Sequence, residues 1–179
     1  MEATKKVNLR DSLEYIEKPA EENIQIFFNS SGQLETFFTY KANVIEIHKE
    51  KMKLDLGKLE KQELQETLRS QLVAYLQKGY KIIFFFGANE KFDILGFFGQ
   101  FSWFSSDLFK NKNYLDKKFL LKSKILTENE DFDLMNTCKG AYKVHENARL
   151  HFLSETEEKE VETFMKANSG IPLQAIIVD

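Results

Sequence analysis

The stretch LRSQLVAYLQKGYKIIFFFGANEKFDIL, residues 68 to 95, decides the fold class. Together with Leu64, its Leu68, Leu72, Tyr75 and Leu76 recur at steps of three or four, the spacing of one apolar helix face. Gly79 then supplies a helix stop, because glycine alone enters the left-handed backbone region without steric cost. Lys81 to Phe86 follows as a near-continuous apolar run. A strand exposed to water on one face would alternate polar and apolar residues, so this one is covered on both. A helix, a glycine and a doubly covered strand in succession predict an α/β chain with a parallel sheet.

Working outward, four more runs read as strands: Ile24 to Phe28, Val44 to Ile47, Arg149 to Leu153 and Leu173 to Val178. IQIFF and LQAIIV have the same near-continuous apolar character as KIIFFF. A short helix from Gly32 to about Lys41 links the first two strands. Ser154 and Glu157 have the spacing of a capping box, ahead of Val161, Phe164 and Met165 on one helix face, which Asn168, Ser169 and Gly170 close. The expected architecture is a three-layer sandwich with a mainly parallel five-stranded sheet and right-handed crossovers. Residues 23 to 179 form one domain. Residues 1 to 22 are a polar segment expected to order on a partner.

A chain of 179 residues is long enough for one real core. Its apolar share of 42% and charged share of 30% exclude wholesale disorder. The net charge of −3, without a basic block, argues against nucleic acid or an acidic membrane as the main partner. Cys138 is the single cysteine, so no internal disulfide can form and a reducing compartment fits. The N-terminus lacks the apolar core of a signal peptide, and the longest uncharged run, Ile94 to Ser106, falls short of the roughly 20 residues that span a bilayer. The expected location is therefore cytoplasmic. The 17 phenylalanines are more than such a core ordinarily holds, and they raise the question of which are buried.

In a parallel sheet, ligands bind beyond the carboxyl ends of the strands. The first such place is Asn29-Ser30-Ser31-Gly32-Gln33. A phosphate loop there needs GxxxxGK[ST], with glycines for close approach, a lysine against phosphate charge and a hydroxyl on magnesium. This segment has one glycine and no lysine, and reads as a strand-to-helix turn at a vestigial phosphate-loop position. The second requirement is a carboxylate at the end of an apolar strand. Phe84-Phe85-Phe86-Gly87 offers none before Glu90 and Asp93.

The order of pieces resembles the fifth, non-hydrolysing AAA+ module of dynein heavy chains. IQIFFNSSGQLETFF stands where that module has a strand running into Asp-Pro-Gln-x-Gln-Ala, with Gln33 on a family glutamine and Phe37 or Phe38 near its tryptophan. The segment from Leu68 to Leu95 resembles the family's helix, glycine, strand and Asp-Pro turn, with Asp93 at the aspartate and Ile94 replacing proline. HENARLHFLSE is similar to its Asn-x-Phe-Arg-Leu strand, retaining Arg149 and Leu150 with Ala148 for the phenylalanine. PLQAIIVD matches its last sheet strand. The resemblance runs from about Asn23 to Asp179 and departs from the family at Asn29-Ser30-Ser31. It implies a P-loop NTPase-like, AAA+-like core whose helical lid would begin where Asp179 ends the sequence. It also implies a cytoskeletal setting, the axoneme of a cilium, with tubulin or dynein-associated proteins as partners.

No other constellation carries chemistry. His48, His145 and His151 lack the spacing of a helical metal site. Cys138 with His145 could form a thiol–imidazole pair, but a buried, inert cysteine is the expectation. No metal, cofactor or catalytic residue is expected. In GFFGQFSWFSSDLF, residues 96 to 109, Phe97, Phe101, Phe104 and Leu108 fall on one helical stripe. Phe98, Trp103 and Phe109 fall off it, and are expected to form an exposed partner-binding surface. Residues 110 to 147 read as an irregular excursion. The function expected is a non-catalytic, AAA+-like structural or interaction subunit of a larger assembly. The alternative is a regulatory protein that binds ATP through the amides around Ser31 and Gly32 without hydrolysing it.

Overall fold

The computed structural model describes residues 4–18 and 22–179. The strands are β1 (Lys5–Val7), β2 (Ile24–Phe28), β3 (Asn43–Glu46), β4 (Lys81–Phe85), β5 (Arg149–Ser154) and β6 (Leu173–Val178). They form one sheet in the order β1-β6-β2-β5-β4-β3, and every neighbouring pair is parallel. The α/β class and the parallel sheet are as expected. Among the described residues the strand count is six rather than five, because Lys5–Val7 from the polar N-terminal segment pairs with β6.

Seven α-helices accompany the strands among the described residues: α1 (Leu9–Glu17), α2 (Gln33–Thr39), α3 (Ile47–Asp55), α4 (Lys61–Lys78), α5 (Ile94–Gly99), α6 (Lys117–Lys122) and α7 (Val161–Ala167). Two apolar clusters flank the sheet. On one face Phe27, Ile83, Leu153 and Ile176 pack with Ile16 of α1 and with Leu34 and Phe38 of α2. On the other, Ile26, Phe84, Phe86 and Phe152 pack with α4, α5, α7 and the excursion. Alternation along each strand places apolar side chains on both faces, the physical reason for the near-continuous runs.

Residues 110–147 are irregular, as expected, but they are core as well. Their Tyr114, Leu120, Ile125, Leu126 and Tyr142 are buried in the α4-side cluster. Arg69 of α4, nearly buried, pins this segment. It donates to Ile125 O at 2.6 Å and to both Glu130 oxygens at 2.7 and 2.8 Å, and it also pairs with Glu66. Those two carboxylates hold the guanidinium firmly charged.

Three local expectations are corrected. Ile47 opens α3 instead of closing a strand. Ser154 is the last residue of β5, not a helix cap; its buried Oγ donates to Gly87 O at 3.0 Å, and the helix begins only at Val161. The aromatic stretch is not one helix: α5 stops at Gly99, and the chain continues through tight three-residue turns, Phe101 N to Phe98 O and Phe104 N to Phe101 O, into a 3-10 turn at Ser106–Phe109. A straight helix would point its off-stripe aromatics at water. The tighter coil turns them all inward.

Candidate functional site

Because all strands are parallel, their carboxyl ends lie along one rim of the sheet. β5 stands between β2 and β4, so the loops after β2 and β4 lie two strand spacings apart, about 10 Å. Those loops, with the turn after β5, are where a phosphate and its metal would be held. The order is neither the 3-2-1-4-5-6 of dinucleotide-binding sheets nor the 2-1-3-4-5 of flavodoxin-like ones.

In the turn after β2, expected from the sequence to be a vestigial phosphate-loop position, the polar groups are engaged with one another. Asn29, buried, donates from Nδ2 to Val178 O at 2.9 Å and from its backbone N–H to Ser154 O at 3.1 Å. Ser31 Oγ donates to Asn29 Oδ1 at 2.7 Å and accepts a long bond from Gln33 N at 3.4 Å. Gly32 adopts a left-handed φ of 70° at the entrance to α2. A Cβ added there would meet Glu155 Oε1 at 3.3 Å. The glycine that could have admitted a phosphate thus faces a carboxylate.

Glu155 does not stand alone. Glu35 of α2 and Glu46 at the end of β3 line the same groove. Burial, the neighbouring carboxyl of Glu46 and the charge of Glu155 raise the Glu35 pKa, against the pull of Lys49. Lys49, bonded to Glu46 at 2.5 Å, is the main reason Glu46 titrates lower than usual. Three carboxylates against one ammonium make this corner of the rim unfavourable to an anion.

The loop after β4 is closed in the same way. Glu155 N donates to Gly87 O at 2.9 Å, and Ser154 Oγ and Thr156 Oγ1 lie 2.7 Å apart in the buried turn. His48 of α3 packs edge-on against Phe85, with Nδ1 3.3 Å from Phe85 O. Asp93, placed by the resemblance at a family aspartate, caps α5 by accepting from Gly96 N at 2.8 Å. Ile94, in place of the family proline, donates its N–H to buried Asn168 Oδ1 at 2.9 Å, a bond proline could not make.

The expected partner surface of Phe98, Trp103 and Phe109 is corrected. All three are buried, Trp103 being 5% exposed, and its indole Nε1 donates to Gln65 O at 2.9 Å. Phe98 packs on Phe84 at 5.3 Å and Phe109 edge-on to Phe152 at 5.2 Å, both on the sheet. Spacing alone missed this because the α4-side face of the sheet consumes more aromatic volume than one helical stripe supplies. Cys138, expected to be buried, is exposed. Its Sγ contacts Lys139 O, whereas His145 Nδ1 accepts from Asn147 N at 3.1 Å; the two residues form no pair. His151 is buried mid-sheet on β5. Among the described residues no three His, Cys, Asp or Glu side chains are grouped to hold a metal ion, and no helix is long and apolar enough to cross a membrane.

Comparison of the chain with models of known families, with curated proteins and with solved structures returns no match.

Proposed function

We propose that this chain is a non-catalytic, AAA+-like interaction module, a structural subunit of a larger cytoskeletal assembly of the ciliary or axonemal kind. The observation that carries the non-catalytic part is Glu155 against Gly32. A phosphate seated on the amides after Gly32 would bring its charge against that carboxylate and against the Glu35–Glu46 pair. The groups that would otherwise receive it, Asn29 and Ser31, already satisfy one another. The cytoskeletal setting rests on the dynein-like order of motifs. The all-parallel sheet, with a strand between the two rim loops, is compatible with that descent.

Thermal unfolding with and without magnesium ATP or ADP tests the proposal. The expected result is no change in Tm at millimolar nucleotide. Saturation at about 100 times Kd would add about 3 kcal/mol, a rise of about 8 °C for a chain of this size. A rise of that order would replace the proposal with the nucleotide-binding regulatory reading.

A further inference from the structure

The two edges of the sheet are finished differently. The β1 edge is three residues long and carries Lys5 and Lys6, with Lys5 over the Tyr15 ring and Lys6 paired to Glu158. Lysines on a short strand are a standard guard against further strand pairing. The β3 edge, Asn43-Val44-Ile45-Glu46, has no lysine and, among the described residues, pairs on one side only, with β4. A groove of about 480 Å³ runs along it, walled by α2 at Glu35 and by α4 at Leu68 and Tyr75. The open edge therefore lies at the floor of a channel with a helix on either side of the sheet plane. The channel is lined by three carboxylates, Glu35, Glu46 and Glu50, and by no cation. Lys49 and Lys53 reach Glu46 and Glu50 from outside that lining. Glu35 has no salt bridge among the described residues and lines the groove beside Glu46.

We propose that the β3 edge takes an extended, lysine- or arginine-bearing segment of a partner protein as a seventh strand. Main-chain hydrogen bonds to β3 supply the attachment, and alternate side chains of the incoming strand reach the two walls. A cation opposite Glu35 and Glu46 offsets part of their like charge, so charge selects the partner. This rests on the interaction-module reading and names its contact surface.

The test is an amide-resolved NMR titration of the full chain with three capped octapeptides. One alternates Val and Lys, one alternates Val and Glu, and the third is the Lys peptide N-methylated at every residue, which removes its main-chain donors. The expected result is saturable shifts at Asn43 to Glu46 with the Lys peptide, and affinity at least about tenfold weaker with the other two. In the Glu35→Gln/Glu46→Gln variant, affinity for the Lys peptide falls about tenfold while the free spectrum stays folded. No shift at about 1 mM Lys peptide, equal affinity for all three peptides, or shifts confined to another surface would overturn the proposal. Broadening of the same amides with protein concentration alone would assign the edge to a second copy and overturn it too. A partner recovered equally well by wild type and by Glu35→Lys/Glu46→Lys would remove the edge while leaving the interaction-module reading intact.

Discussion

His151 lies in the middle of β5, buried, one residue before the Phe152 that pairs with Ile26 of β2; the preceding Gln25 of β2 is in register with Gln174 of β6. A row of polar side chains thus crosses three central strands beneath α1. Neither ring nitrogen of His151 has a well-formed hydrogen bond. Burial is the main cause that pushes its pKa down to about 4; the Ile16 backbone opposes it, and Arg149 and Lys81 add smaller pushes downward. In the unfolded chain the imidazole titrates near 6.5. As pH falls through 6.5 the unfolded state takes up a proton that the folded state refuses, so stability is lost between about 6.5 and 4 and no further below. A gap of about 2.5 pH units corresponds to about 3 kcal/mol, a large part of a domain's total stability. His151→Leu removes the titration and two unsatisfied nitrogens from an apolar face. Urea unfolding of both proteins at steps from pH 7.5 to 4 gives a difference curve in which the carboxylates common to both cancel. The expected curve has the variant gaining about 3 kcal/mol over wild type as pH falls through that window. A difference constant within about 0.5 kcal/mol across it would refute the buried, neutral histidine.

Other expected outcomes follow from single contacts. Arg69→Met leaves Glu130 without its cation and should cost about 3 kcal/mol, with hydrogen exchange rising first at Thr127 to Asp131; unchanged exchange there would mean the pin is not needed. Trp103 should fluoresce well to the blue of free tryptophan and be quenched only weakly by iodide. Strong quenching would restore it to the surface. Gly79 has a φ of 74°, and a Cβ there would meet His145 Nδ1 at 2.6 Å. Gly79→Ala should therefore cost about 2 kcal/mol in chemical denaturation, and His145→Ala in the same chain should recover part of it. Strict additivity of the two would remove the steric explanation.

The fold was legible where one signal dominated. The runs IQIFF and LQAIIV carry one polar residue each, and β2 and β6 match them residue for residue. Gly79 marked the end of α4 because only a left-handed residue could close it there. Legibility failed where tertiary contacts overrode local pattern. Lys5–Val7 looks like polar tail, yet as an edge strand it needs only β6's free hydrogen-bonding groups and no apolar face. Ser154 and Glu157 had cap spacing, but the chain spends Ser154 on closing the rim against Gly87. Trp103 was read as exposed because a helix cannot bury opposite faces against one sheet; 3-10 turns can bring both sides in. The absence of a phosphate-loop motif was visible in the missing lysine and glycines. The approach of Glu155 to Gly32 was not, because that contact joins residues 123 positions apart across the β2–β5 pair.

The most direct measurement of the central claim is native affinity purification of this chain from its own cells, with bound proteins identified and their stoichiometry measured by mass spectrometry. The expected result is a cytoskeletal partner of the axonemal kind in stoichiometric amount, with no nucleotide carried through. A lone monomer, or a monomer retaining ATP or ADP, would contradict it.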